Sequence, residues 1–254
     1  HSYESYVARL IEKGYKVAIC EQMEDPALAK GLVKRDVVRV VTPGTVIEQS
    51  MLQDDRNNFI ASILIENGQA GLCFADVSTG EAHVTCISGQ DLGAQMISEL
   101  CRYAPSEVLF NPAILDYKDV TAYIKQQLTC AVELLDDADF EPQACKARVE
   151  AQFSGGCEAD GLQARALGAL LFYLEATQKK GVERLKNVHA YAEAQYMHLS
   201  PVTRANLELT QTMRGREKKG TLLWVLDKTS TAMGKRLLRA WIEQPLVSAG
   251  AINR

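Results

Sequence analysis

"NFIASILIENGQAGLCFADVSTGEAHVTCI", residues 58–87, sets three short runs rich in β-branched and aromatic side chains around two turn signals, Asn67-Gly68 and Ser78-Thr79-Gly80. Asparagine and glycine reach positive φ at little steric cost, which is what a tight hairpin asks of its central residues. The expectation is an antiparallel meander of three strands over 58–66, 69–77 and 81–87.

After this stretch the period lengthens. Ser88 opens a capping-box-like "SGQD", and Leu92, Met96 and Leu100 line one helical face. "EVLF" (107–110) reads as a buried strand, Tyr117, Val120, Ile124 and Leu128 as the face of a second helix, and "CAVELL" (130–135) as a further strand. Residues 138–153 and 160–180 read as helices, the second made the most apolar in the chain by Leu162, Leu167, Leu170, Leu171 and Leu174. Strands that alternate with helices imply parallel pairing through right-handed crossovers. The fold class expected is α/β, with a mixed five-stranded sheet in the βββαβαβα order of ribonuclease H-like domains.

The flanks differ. Residues 3–13 read as a helix with Tyr6, Leu10 and Ile11 on one face and Gly14 at its end; "KVAICEQ" and "DVVRVVTPGT" read as strands, with "DPALAKG" a turn or loop between them. This is the tail of a small α/β domain. "LQDDRN" (52–57) is a polar linker. Beyond about residue 195 the β signal vanishes: Ser200 caps "PVTRANLEL", Gly220 introduces "TLLWVLDKT", and "AMGKRLLRAWIEQ" sets Met233, Leu237, Leu238, Trp241 and Ile242 against an outward Lys235, Arg236 and Arg239. The domains read as 1–51, 52–190 and 191–254, the last an incomplete all-α unit. A chain that opens on "HSYESYVARL" and closes on "SAGAINR" reads as cut from something longer at both ends.

Composition narrows the function classes. The formal charge of -4 is partitioned: Lys+Arg against Asp+Glu is 7 and 7 over 1–51, 11 and 21 over 52–195, and 10 and 4 over 196–254. Phosphate attraction is a local field, so the C-terminal piece is the one suited to a polyanion. No apolar run approaches the roughly 18 residues of a membrane span, so the expectation is a soluble protein with no membrane partner. Seven scattered cysteines without C-x-x-C spacing suit a reducing cytoplasm and no zinc site. His83 and His198 stand alone and read as structural, and "FSGGCEADG" (153–161) reads as a loop between helices.

Asp76, which closes the second strand, raises the question of catalysis. Two-metal phosphoryl chemistry needs several carboxylates around cations about 3.5–4 Å apart. The first strand, Phe59 to Leu64, carries no acid, and Asn111 and Pro112 stand at the end of "EVLF" where another would be needed. Asp76 therefore reads as an aspartate bonding the backbone of its own turn. A metal-dependent nuclease of ribonuclease H type is the alternative. With no phosphate-loop motif and no G-x-G-x-x-G either, the reading assigns this chain no catalytic residue, metal or cofactor.

"VAICEQMEDPALAKGLVKRDVVRVVTPGT" (17–45) closely resembles the segment that ends the mismatch-binding domain in the MutS family of bacterial DNA mismatch repair proteins. "DDRNNFIASI", "ADVSTGE" and "PSEVL" look like that family's connector domain, and "LSPVTRANLEL" with "GTLLWVLDKTSTAMGKRLLRAWIEQPL" like the start of its lever domain. The resemblance implies a fragment of a dimeric clamp on mismatched double-stranded DNA. The Phe-x-Glu wedge motif is then expected upstream of His1, the ATPase domain with its ATP and Mg downstream of Arg254, and MutL as partner. It places Lys30, Lys34, Arg35 and Arg39 near the DNA backbone, with a solvated basic loop, or an acid partner for Arg39, as the other reading. Gln143, Lys146, Arg148 and Glu150 correspond by position to the MutL-facing surface, and Arg236 and Arg239 to a brace between lever and connector.

Overall fold

The computed structural model of the chain describes residues 3–24, 32–128, 130–153, 156–178 and 182–253. Helix α1 (Tyr3–Glu12) ends at Gly14, whose φ of 80° lets the chain turn into β1 (Val17–Gln22), paired antiparallel with β2 (Arg35–Val41). Val7 and Ile11 turn inward onto Val41 and Val46, while Tyr6 is 64% exposed and Leu10 also faces out. The expected face of α1 is thus rotated. This short helix is apolar on two sides, and the partner strand, not the spacing, selects which side is buried. The "DPALAKG" segment lies outside the described residues.

The meander forms as expected: β3 (Ile60–Glu66), β4 (Gln69–Asp76) and β5 (Glu81–Ser88) pair antiparallel in sequence order. Asn67 and Gly68 take φ values of 51° and 72°, as a two-residue hairpin of this twist requires. Helix α2 (Leu92–Tyr103) returns the chain to β6 (Glu107–Phe110), parallel to β3; α3 (Lys118–Tyr123) continues as a wider turn over Ile124–Leu128 and leads to β7 (Ala131–Leu134), parallel to β6. Helices α4 (Pro142–Gln152) and α5 (Gly161–Gln178) follow.

The sheet is six-stranded rather than five-stranded, because β8 (Asn187–Ala190) adds itself parallel to β5, giving the order β7-β6-β3-β4-β5-β8. "NVHA" is too short and polar to announce a strand; it is one because β5 offers an unpaired edge. Ser88 likewise ends β5 instead of capping α2, which starts at Leu92 after Asp91. Both sheet faces are covered. Ile60, Leu64, Cys73 and Leu109 pack under Leu167, Leu170, Leu171 and Leu174 of α5, and Ile63, Leu72, Phe74 and Val108 under Met96, Leu100 and Val120 of α2 and α3. Strands apolar on both alternating sets are what a doubly covered sheet needs.

The C-terminal unit holds α6 (Pro201–Asn206), capped by Ser200, then α7 (Leu222–Leu226), α8 (Ala232–Glu243) and α9 (Ala249–Ile252). The expected orientation of α8 is found only in part, since Leu238 and Ile242 are half-buried but the other apolar residues of that face are not. Met233 (81%) and Trp241 (66%) are exposed, whereas Arg239 turns in to Glu243 and Asp55, and Arg236 to the Gln53 carbonyl. Asp55 and the Gln53 carbonyl lie on the linker, Glu243 lies on α8 itself, and nothing among the described residues covers Met233, Leu237 and Trp241. The unit is tied to the sheet domain through Arg102 at the end of α2. Its buried guanidinium lies over the rings of Tyr196 (4.0 Å), Tyr191 (4.8 Å) and Tyr103 (5.2 Å) and donates to Gln244 Oε1 at 2.9 Å and to Glu99. No helix among the described residues is long and apolar enough to cross a membrane, and all seven cysteines are free thiols.

His83 on β5 faces its register partner His189 on β8, with ring centroids 5.4 Å apart, and touches Phe59 and Tyr103. Burial, then His189 and Arg102, push its imidazole down to about 4. The folded state therefore holds His83 neutral while the unfolded chain takes a proton near pH 6.5, so this contribution is complete above that pH and is lost as pH falls toward 4. Lowering pH from 7.5 to 5 is expected to cost about 2 kcal/mol through this group. Denaturant titrations at both pH values should show that share missing in His83→Phe.

Candidate nucleic-acid interface and its anchorage

The two-stranded ribbon of β1 and β2 carries the basic residues at the end where residues 23–34 join its strands. Lys34 donates its backbone N–H to Glu24 Oε1 at 2.6 Å, Met23 N–H donates to the Lys34 carbonyl at 2.9 Å, and Gln22 pairs with Arg35. These contacts close the base of the loop and leave the side chains of Lys34 and Arg35 in solvent. Lys30 lies outside the described residues. Glu21, Glu24 and Asp36 stand on the same end of the ribbon, so its surface is of mixed sign.

Arg39 is built into the structure instead. With its side chain 16% exposed, it donates from Nη1 to Glu48 Oε1 (2.6 Å), from Nε to Gln178 Oε1 (2.7 Å) and from Nη2 to the Thr45 carbonyl (3.0 Å). The alternative of an acid partner is the arrangement found. Burial opposes the charge on Glu48, but backbone N–H groups and Arg39 outweigh it and hold the carboxyl below its ordinary range. Gln178 also donates to the Val40 carbonyl at 2.9 Å, so the last turn of α5 grips β2.

Below Arg39 the chain makes a buried turn, Thr42-Pro43-Gly44-Thr45, that docks on one carboxylate. Glu107, the first residue of β6, is fully buried and accepts from Thr42 Oγ1, from Gly44 N–H at 3.1 Å and from Tyr173 Oη at 2.6 Å. Burial and then the Glu107 charge push the Tyr173 hydroxyl well above its usual range, which keeps it a donor. Lys16 Nζ lies 3.9 Å from Glu107 and 2.5 Å from Glu133 on β7. Gly44 is required there: a Cβ would meet those of Glu107 and Ile60 at 2.8 Å. Sequence reasoning missed this joint. Its one signal is an acid opening an otherwise apolar strand.

Asp76 behaves as its turn demands. Fully buried, it accepts from Ser78 N–H (2.9 Å), Ser78 Oγ (2.6 Å) and Thr79 N–H (3.3 Å) on one oxygen and from Asn58 N–H (3.2 Å) on the other. A carboxylate so committed is not an open metal ligand, and among the described residues no three His, Cys, Asp or Glu converge. The nuclease reading is not supported. On α4, Gln143, Lys146 and Glu150 lie exposed, the latter two 3.8 Å apart, whereas Arg148 turns away over the Phe172 ring at 4.7 Å.

Comparison with known proteins places three family models in order along the chain: MutS domain I on residues 1–50, MutS domain II on 58–189 and MutS domain III on 202–254. The chain is 45% identical to the DNA mismatch repair protein MutS of Ruminiclostridium cellulolyticum over all of its own length and 29% of that protein's. It is 45% identical to that of Acetivibrio thermocellus over 98% of its length and 29% of the relative's, and 43% identical to that of Thermosynechococcus vestitus over its whole length and 30% of the relative's. It thus spans less than a third of these relatives.

Proposed function

This chain belongs to the MutS family, and from that premise we propose that it supplies the coupling part of a DNA mismatch repair protein. Residues 1–51 are the closing part of a mismatch-binding domain, 52–190 a connector domain of ribonuclease H-like fold, and 191–254 the start of a helical lever domain. The observation that carries the reading is the succession of the three family matches, in order, along one chain. The sheet order supports the connector assignment: β3 lies between β4 and β6, with the meander on one side and the crossover strands on the other.

In the whole protein the reading implies a cytoplasmic homodimeric clamp on mispaired duplex, with ATP and Mg held outside residues 1–254. Mispairs unstack at low cost, so such a clamp reads deformability more than base edges. The part played here is positional. Lys34 and Arg35, with Lys30, neutralise phosphates, while Arg39 and Glu107 fix the ribbon to the sheet domain so that a displacement at the DNA reaches the helices. Gln143, Lys146 and Glu150 offer MutL a polar face on α4; Arg148 supports that face by holding α4 against α5.

The test is charge reversal in the full-length protein. Lys34→Glu with Arg35→Glu is expected to weaken binding to matched and mismatched duplex alike, by about tenfold near 0.1 M salt, and to make the log K against log salt slope shallower by about 1.8. An unchanged slope would remove these two residues from the interface.

A further inference from the structure

The linker Gln53–Arg56 and the C-terminal unit meet in a cluster with too few acids for its cations. Asp55 lies 3.7 Å from Arg239 Nη1, 4.0 Å from Lys218 Nζ and 4.0 Å from Arg56 Nε. Charge-assisted hydrogen bonds run about 2.7–2.9 Å, so three cations share one carboxylate and none closes on it. Lys218 is held by Asp227 at 2.7 Å and Arg239 by Glu243 at 3.2 Å. Arg204 faces Glu243 as well, and its Nη2 donates to that residue's backbone carbonyl. Arg236 reaches the Gln53 carbonyl at 3.5 Å, and its buried Nε has no hydrogen-bond partner among the described residues. Arg56, Arg204, Lys218, Arg236 and Arg239 therefore stand against Asp55, Asp227 and Glu243, with Asp54 exposed beside Asp55 on the linker, a surplus of one positive charge.

Lys218 also lines an open cleft of about 400 Å³ with Trp224, Val225, Asp227 and Lys228. Trp224 is 48% exposed, and Asp227 already answers to Lys218 and Thr229. We propose that this joint is a binding site for a phosphate-bearing anion. The phosphate sits among Arg56, Arg236 and Lys218, and an attached base stacks on Trp224 with Lys228 at the rim. Guanidinium forks match phosphate oxygens in pairs, a phosphate supplies the missing negative charge, and an exposed indole is a stacking platform for any base. The source is either a free phosphoanion or a nucleic-acid backbone. The site is separate from Lys34 and Arg35 and does not depend on their role.

In the full-length protein, inorganic phosphate at 10 mM is compared with chloride at equal ionic strength in thermal unfolding. The Arg56→Gln, Arg236→Gln double variant is expected to lose about 2 °C of the phosphate-dependent rise in Tm; an equal rise in variant and parent overturns the proposal. Should that variant fail to fold, the exposed Lys228→Gln and Trp224→Phe decide through titration with thymidine 5′-monophosphate. A threefold or greater loss of affinity in each supports the site, and unchanged affinity refutes it. A DNA salt slope shallower by about 1.8 in the double variant identifies the backbone as the source; an unchanged slope with a lost phosphate response identifies the free anion.

Discussion

Glu107→Ala is expected to destabilise the joint between the N-terminal unit and the sheet by about 3–5 kcal/mol, the usual cost of breaking a buried charged network by removing one member. The carboxylate gathers the Thr42 hydroxyl, the Gly44 N–H and the Tyr173 hydroxyl. Alanine strands the Gly44 N–H and the Tyr173 hydroxyl away from water, leaves the Thr42 hydroxyl only its 2.9 Å contact with Thr45 Oγ1, and leaves Lys16 with Glu133 alone. The loss should be local, since the covered sheet has its own core on both faces. Calorimetry should then resolve an early transition for residues 1–51, and limited proteolysis should cut near 46–58 while the sheet domain survives. Glu107→Gln keeps one acceptor for Gly44 N–H and lets a hydroxyl accept from its amide, so a milder loss of about 1–2 kcal/mol is expected. Equal effects of the two substitutions would show that shape, not the acceptor pair, holds the joint.

Gly71→Ala should be the most damaging single methyl in the sheet. A Cβ at this point of β4 would lie 2.3 Å from the carbonyl carbon and oxygen of Leu162 and 2.7 Å from Gln163 N, all backbone of the first turn of α5. No rotamer change relieves a clash with backbone, so the helix that covers Leu64, Cys73 and Leu109 has to lift. Overpacking typically costs about 1–3 kcal/mol, and here at least the upper end is expected. Urea unfolding of Gly71→Ala against Gly68→Ala separates the causes. Gly68 has φ of 72° and open space around its Cβ position, so its substitution reports backbone strain alone. A smaller loss at Gly71 than at Gly68 would disprove the close approach.

The meander was legible because its information is local. Asn67-Gly68 and the Asp76 turn write their own conformations, and the chemistry of Asp76 follows from residues two and three positions away. β8 was not, since four residues with little apolar content become a strand only on meeting β5. The buried side of α1 depended on Val41 and Val46, and the orientation of α8 on Asp55 and the Gln53 carbonyl in a linker far away in sequence. The joint at Glu107 was illegible for the same reason: Thr42 and Tyr173 reach it from 65 and 66 residues away, and each is unremarkable in its own neighbourhood. Lys34 and Arg35 are exposed at the ribbon's end, whereas Arg39, equally basic on paper, is consumed by its own fold.

Arg102, where the C-terminal helices are caged, and Glu107, where the N-terminal turn docks, belong to one connection, Arg102-Tyr103-Ala104-Pro105-Ser106-Glu107. Ala104 holds φ of 43° and closes α2 on the Leu100 carbonyl, Pro105 removes a further torsion, and Ser106 is bonded to Phe59. Six consecutive residues thus carry both sockets, and the two outer bodies share one short, conformationally restricted piece of backbone.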